Sequence, residues 1–331
     1  MGKKIILDVD TGSDDAVAIM YACLSGEFDI LGVMVSFGNQ PLEYTLKNTL
    51  KIRELIGGNF KIYRGSSGPL TADLMPGSAM NTEVQCFEKV INEKTVAVHQ
   101  KSFPLPEPRG REEDVPAVIW LVQTLMNSKE KVILIPVGPL TDIALALKVE
   151  PRIRDKIEEI VCMGGGVNVA NMTPCAEINF YNDPEAAEIV LESGIKTTLI
   201  TLDATHSSWF GYQEVERLKA SGSRAGCFAA DLLANRIEAA NQLGARTVKK
   251  SALHDVLAVM YVSHPEVVTE IRHQKCSVDV GQGYGRGGLF TDRRSSAKAE
   301  QPVYIAYEAD KEYMFELLVR ALKRVTKTTA V

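Results

Sequence analysis

An open, mainly parallel α/β sheet flanked by helices, a Rossmann-like architecture, is the fold the sequence predicts, and three observations predict it. Apolar runs of strand length alternate with amphipathic helical stretches over the first two thirds of the chain. Such alternation reads as βαβ units whose parallel strands are covered by helices on both faces. The runs end repeatedly in Gly, Asn or Asp, as in "DVDTG", "SFGN", "PVGP", "MGGG" and "LDAT". In an open parallel sheet ligands bind at the carboxyl ends of the strands, so these ends are the place to look for a site. The chain has 331 residues, 45% of them hydrophobic and 24% charged, enough to bury one large α/β core.

The elements follow in order. "KIILDVD" (4–10) predicts a strand, followed by a helix from about Asp14 to Leu24. "FDILGVMVSFGN" (28–39) predicts the next strand, "LEYTLKNTLKIRELIG" a helix, and "KIYRG" a short third strand. An irregular stretch runs from Ser66 to about Arg111. Beyond it "VPAVIWLVQTLMN" is helical, "KVILIPVG" (131–138) a strand, "LTDIALAL" a helix and "IEEIVCMGGG" a strand. "DPEAAEIVLES" then predicts a helix and "KTTLITLDAT" a strand. The remainder is more helical and ends in "KEYMFELLVRALKRV", an amphipathic helix. No linker or repeat divides the chain. One domain over 1–331 is expected, with insertions near 66–111 and 207–250 that could act as flaps over the site.

The formal net charge of −5 argues against a nucleic-acid or anionic-membrane partner, which would select a basic face. "MGKKIILDVD" is too short and too soon charged for a signal peptide or membrane span, and Ile6 stands where myristoylation wants Ser or Thr. The six cysteines form no CxxC pair, so reduced thiols in a cytoplasmic protein are expected. "NMT" (171–173) fits a glycosylation acceptor but has no secretory context.

Four carboxylates, Asp8, Asp10, Asp14 and Asp15, fall within eight positions of "LDVDTGSDD". Gly12 permits a sharp turn and Ser13 is a candidate N-cap. Asp14 and Asp15 in a first helical turn gain from the macrodipole, which alone would explain them. Asp10 needs another reason, because the turn brings it back to the same place. A divalent cation with hard oxygen ligands neutralises such a cluster most simply. An EF-hand is excluded because a strand precedes the cluster, and zinc because neither His nor Cys is near. Calcium or magnesium fits, and calcium tolerates the higher coordination that a substrate diol would complete.

A second cluster lies in "GGGVNVANMTPCAEINFYNDPEAA" (164–187), with Asn171, Glu177, Asn179, Asn182 and Asp183. Asp183 reads as the N-cap of a helix that has Pro184 at its first position. Glu177 and Asn179, two apart, read as sharing a face and offer hydrogen-bonding groups suited to a sugar, not a nucleophile. The third cluster is "SALHDVLAVMYV" (251–262), where His254 and Asp255 open an apolar helix. A lone histidine there is more often structural, but the adjacent Asp raises its interest.

The three clusters together resemble the inosine-uridine-preferring nucleoside hydrolase family. "DVDTGSDDA", "SFGN", "PVGPLTDIA", "MGGG", "AEINFYNDPEAA", "LDATH" and "LHDVLAVMYV" match in order across essentially the whole chain. The resemblance implies hydrolysis of the N-glycosidic bond of ribonucleosides with a bound calcium. It implies that Asp10, Asp15 and Asp255 bind calcium through side chains and Val137 through its carbonyl, where the family often has Thr. Asp10 is also implied as general base. Asp14, Asn39, Asn171, Glu177 and Asn179 would hold the ribose, and His254 would lie near the base as the candidate acid. An oxocarbenium-like transition state suits this set, since carboxylates favour its positive charge. A small-molecule nucleoside is the expected partner and a homo-oligomer, dimer or tetramer, the expected assembly.

The sequence departs from the family in two places. Many members carry a His-Gly loop after the third strand, but "MPGSAMNTEVQ" here has no His. The flap that often carries tyrosines reads "AANQLGARTVKK", with Arg246 as its notable polar group. Trp209 is a candidate to stack on a base, with packing the plainer reading. Asp203 and His206 are expected to support the site. 6-Oxopurine nucleosides are the expected substrates, on the ground that His254 could serve the N7 side, with pyrimidine or nonspecific hydrolysis as the alternative. A phosphatase with a DxD start is disfavoured by Gly12 and by the lack of a later acidic metal motif. "GYGRGG" (283–288) lacks the strand and helix a dinucleotide site needs. A non-catalytic calcium-dependent nucleoside or ribose binder is the reading of another class.

Overall fold

The computed structural model describes residues 2–71, 88–91, 94–243, 248–294 and 296–323. The chain begins β1 (Lys3–Val9), α1 (Ser13–Leu24), β2 (Phe28–Val35), α2 (Leu42–Leu55) and β3 (Ile62–Arg64). A hairpin of β4 (Glu88–Ile91) and β5 (Lys94–Ala97) precedes α3 (Ala117–Asn127), β6 (Val132–Pro136), α4 (Thr141–Val149) and β7 (Ile157–Met163). Next come α5 (Ile178–Asn182), α6 (Pro184–Leu191), β8 (Thr197–Ile200), α7 (Leu202–His206) and β9 (Trp209–Gly211). The remainder is α8 (Tyr212–Lys219), α9 (Arg224–Leu243), β10 (Lys250–Ala252) and α10 (His254–Ser263), then β11 (Val268–His273), β12 (Cys276–Val278), β13 (Leu289–Thr291), β14 (Val303–Ala309) and α11 (Lys311–Leu322).

Eight strands form the central sheet in the order β11-β14-β8-β7-β6-β1-β2-β3. All neighbours pair in parallel except β11, which runs antiparallel to β14 at the edge. The pleat divides the core. Ile5, Leu7 and Val9 of β1 pack with α1, α10 and α11, whereas Ile6 joins Met34 and Leu134 against α3, α4 and α6. Helices thus cover both faces, which is why the strands read as apolar runs.

Three local expectations change. "LDATH" is the helical turn α7, not the end of the preceding strand. Glu177 and Asn179 do not alternate on a strand, because Glu177 caps α5 and Asn179 lies in its first turn. Gly12, not Ser13, is the N-cap of α1. Residues 75–85 and Arg246 lie outside the described residues. "GYGRGG" joins β12 to β13, two antiparallel strands, so no strand–turn–helix cradle exists there.

Candidate active site

β1 lies between β2 and β6, with Asp8 level with Met34 and Pro136, so its carboxyl end is central. The next residue of the signature, Asp10, is held between two glycines. A Cβ on Gly38 would stand 2.1 Å from Asp10 Oδ2, and one on Gly138 2.7 Å from Oδ1. The Asn39 backbone N–H donates to Oδ2 at 2.6 Å, while Oδ1 is buried without a hydrogen-bond partner among the described residues. Both oxygens of Asp8 are likewise buried and unpartnered.

Asp15 reaches back from the first turn of α1. Its carboxylate accepts the backbone N–H groups of Asp10 (3.1 Å) and Gly12 (3.0 Å) and the side-chain amide of Asn39 (3.0 Å). This reciprocal bond replaces the side-chain cap that Gly12 lacks. α10 packs against α1 and brings Asp255 to the same point, where carboxylate oxygens of Asp14, Asp15 and Asp255 all lie within 4.8 Å of one another.

The electrostatics show what this crowding costs. Burial, then Asp15, pushes the Asp10 carboxyl far above the usual range, and burial followed by Asp14 and Asp15 does the same to Asp255. Asp15 is raised to about 6, chiefly by burial. Three buried carboxyls that resist ionisation, with one oxygen left unpartnered, fit a divalent cation held by oxygen ligands.

Across the cleft, Glu177 accepts N–H groups from Gly165 (2.9 Å), Asn179 (3.0 Å) and Phe180 (3.2 Å). Burial raises its pKa to about 7 despite these bonds. The Asn179 side-chain amide donates to the carbonyls of Val137 (2.8 Å) and Met163 (3.1 Å), tying α5 to the ends of β6 and β7. Asn171 Oδ1 accepts from the Ile178 N–H at 3.0 Å.

A cavity of about 170 Å³ collects these groups. Asp14, Asn39, Val137, Asn171, Glu177, Asn179, His254 and Asp255 line it, and Asp10 and Asp15 adjoin it through Asn39. Larger clefts beside α6 and beside Arg272 contain none of the sequence-predicted residues. Trp209 is not among the lining residues, and its ring meets the edge of His206 at 4.9 Å. His206 in turn lies 5.7 Å from the His254 ring. Asp203 accepts the N–H groups of Val167 and Asn168 and so anchors the loop that carries Asn171. Asp183 caps α6 through the Ala186 N–H and also accepts from the Thr141 hydroxyl.

Two titratable residues that the sequence reading does not single out, His99 and Arg236, also line the cavity. The Nδ1 atom of His99 accepts from the Ser13 N–H at 3.3 Å and lies 3.7 Å from Asp14 Oδ1. Arg236 projects from α9 and its Nη1 donates to Asp14 Oδ1 at 2.8 Å and to Ser13 Oγ at 2.8 Å. Burial alone would raise the Asp14 carboxyl, but the Arg236 guanidinium beside it prevails and holds it below the usual range. Burial holds the imidazoles of His99 and His254 neutral, at about 4 and about 3. His254 Nδ1 shares a 2.8 Å hydrogen bond with Thr205 Oγ1. A signal for Arg236 exists in the sequence: Phe228, Leu232 and Arg236 fall four apart on the buried stripe of α9, where an arginine needs a partner. His99 carries no such signal.

Among the described residues no helix is long and apolar enough to cross a membrane, and Cys23, Cys162, Cys175, Cys227 and Cys276 are free thiols. The family profile described as inosine-uridine preferring nucleoside hydrolase matches residues 5–316. The chain is 32% identical over 286 residues to the pyrimidine-specific ribonucleoside hydrolase RihB of Escherichia coli (strain SE11), covering 86% of each chain. It is similar to the solved structure of a purine-preferring ribonucleoside hydrolase from Gardnerella vaginalis, with 30% identity, a TM-score of 0.84 and coverage of 97% of this chain and 98% of that one. The plant nucleoside hydrolase PpNRh1 shares the fold at 23% identity, with a TM-score of 0.85 over 98% and 99% of the two chains. With its carboxylate-lined cleft at the carboxyl end of the sheet, the chain belongs to the inosine-uridine preferring nucleoside hydrolase family and is a hydrolase of the N-glycosidic bonds of nucleosides.

Proposed function

We propose that the protein is a calcium-dependent ribonucleoside hydrolase that releases free base and ribose. The observation that carries this reading is the unpartnered, buried Oδ1 of Asp10 beside a cavity that presents carboxylates on one side and a carboxylate–amide set on the other. Asp10, Asp15 and Asp255 would hold the cation through their carboxylates and Val137 through its carbonyl. Calcium, when bound, supplies positive charge that orients a diol and favours loss of a proton from water. Asp10 is the general base that takes a proton from the attacking water. Asp14, Asn39, Asn171, Glu177 and Asn179 hold the ribose, and the surrounding carboxylates favour the cationic character that develops as the C–N bond breaks. His254 faces the leaving base. Kept neutral by its surroundings, it donates an N–H hydrogen bond to the leaving base, which takes its final proton from solvent.

For the base we retain 6-oxopurine nucleosides, inosine and guanosine, and a role in purine nucleoside catabolism and salvage. Similarity to the Gardnerella enzyme supports this reading. Pyrimidine hydrolysis is the second reading, supported by the 32% identity to pyrimidine-specific relatives. We read the chain as one domain with flaps near 66–111 and 207–250, acting as a cytoplasmic homo-oligomer; the continuous eight-stranded central sheet supports the first, and the free thiols among the described residues support the compartment.

Turnover of inosine, guanosine, adenosine, uridine and cytidine, followed as free ribose, tests the proposal and ranks the bases. Binding of nucleosides without release of ribose from any of them would replace the enzyme by a nucleoside-binding protein.

A further inference from the structure

Distance alone makes Asp14 a third carboxylate for the cation, since its oxygen clusters with those of Asp15 and Asp255. A second contact argues otherwise. Arg236, only 4% exposed, is fixed by Nε to Ser251 Oγ at 3.3 Å and by Nη1 to both Ser13 Oγ and Asp14 Oδ1. It lies 222 residues from Asp14 along the chain and arrives from a different helix. A buried guanidinium cannot be left unpaired without a large penalty, so this ion pair resists being broken by a competing cation. Arg236 meets Asp14 through Oδ1, and Asp14 lines the cavity. One oxygen is committed to Arg236 while the other remains for a ligand.

We propose that Arg236 is a positioning residue that keeps Asp14 out of the cation's ligand set and reserves it as the acceptor for a ribose hydroxyl. The inference rests on the ribose-binding role proposed for Asp14. Arg236 acts through Asp14, so it governs how strongly the site tells ribose from deoxyribose. His99 also stands beside this pair, with Nε2 3.5 Å from Arg236 Nη1.

The test compares wild type with Arg236→Gln, Arg236→Lys, Asp14→Asn and the Asp14→Asn/Arg236→Gln double variant. The best ribonucleoside of the five and its 2′-deoxy counterpart serve as substrates. Loss of a charge-assisted hydrogen bond predicts that Arg236→Gln lowers the ribo-to-deoxy ratio of kcat/KM about 10- to 100-fold, mostly on the ribonucleoside. Asp14→Asn lowers it similarly and the double variant no further, because both remove one interaction. Arg236→Lys, which keeps the charge, retains part of the ratio. Calorimetric titration with calcium, independent of turnover, shows tighter binding in Arg236→Gln as Asp14 is released to the cation. An unchanged ratio with equal losses on both sugars, or additive losses in the double variant, would overturn the proposal. If wild type hydrolyses no nucleoside, the functional reading fails, and the titration still decides: calcium affinity unaltered by Arg236→Gln removes the inference.

Discussion

The side-chain amide of Asn39 donates to Asp15 Oδ2 at 3.0 Å while its backbone N–H holds Asp10 Oδ2 at 2.6 Å. One residue after β2 therefore orients two carboxylates that come from β1 and α1. Groups that orient metal ligands typically contribute 10- to 100-fold to affinity or activity. Asn39→Ala is expected to weaken calcium binding within about that range, and Asn39→Asp more, since it adds a like charge. Calcium titration of the two variants checks the order; equal affinity to wild type would assign Asn39 to the ribose alone.

Asp10 carries a different expectation. Its Oδ1 has no partner and its ionised form is disfavoured by burial. Asp10→Ala removes both a proposed ligand and the proposed base, so turnover should fall by at least about 10²–10⁴-fold. The calcium-free protein should melt no lower than wild type, because an uncompensated buried carboxyl has been removed. Calcium should stabilise wild type by about 2.7 kcal/mol at a hundredfold excess over Kd, and the variant far less. Thermal melts with and without calcium measure both.

Glu177 sets a pH dependence. Its pKa of about 7 lies above the ordinary 4.5, so the carboxyl is protonated on the acid side of neutrality. As a carboxylate it is the stronger acceptor for a sugar hydroxyl. The kcat/KM for a ribonucleoside is expected to rise with pH through about 7, and Glu177→Gln should flatten that limb while lowering its plateau. A profile unchanged by the substitution would assign the ionisation elsewhere.

His99 sets another, on stability. The folded protein holds its pKa at about 4, against an ordinary 6.5, chiefly through burial. Between those values the unfolded chain binds a proton that the folded one refuses, so this contribution is complete above about 6.5 and is lost as pH falls toward 4. It amounts to about 3 kcal/mol. His99→Asn should show a shallower fall in stability over that window in denaturant titrations. A slope equal to that of wild type would show that other groups dominate acid unfolding.

Much of the site is written in short, local patterns. "DVDTGSDDA" places a strand end, a glycine turn and first-turn acids in one stretch, and "LHDVLAVMYV" opens a helix with His254 and Asp255. Local readings failed where a backbone hydrogen bond decided the element. Ser13 is the usual N-cap residue type, yet Asp15 satisfies the Gly12 N–H from inside the helix and leaves the Ser13 hydroxyl to Arg236. Period two puts Glu177 on an extended segment, but its carboxylate collects three N–H groups and turns the chain into α5.

The sequence by itself determined the class of fold and most of the polar residues around the cavity, because apolar period, glycine turns and closely spaced carboxylates are local properties of the chain; the family entered through the resemblance of its motifs. Tertiary structure alone decided that Asp10 sits in a cradle of Gly38 and Gly138, because that follows from β1 lying between β2 and β6. It alone joined Arg236 and His99 to Asp14, across 222 and 85 positions, and only packing brings together charges so far apart in the chain.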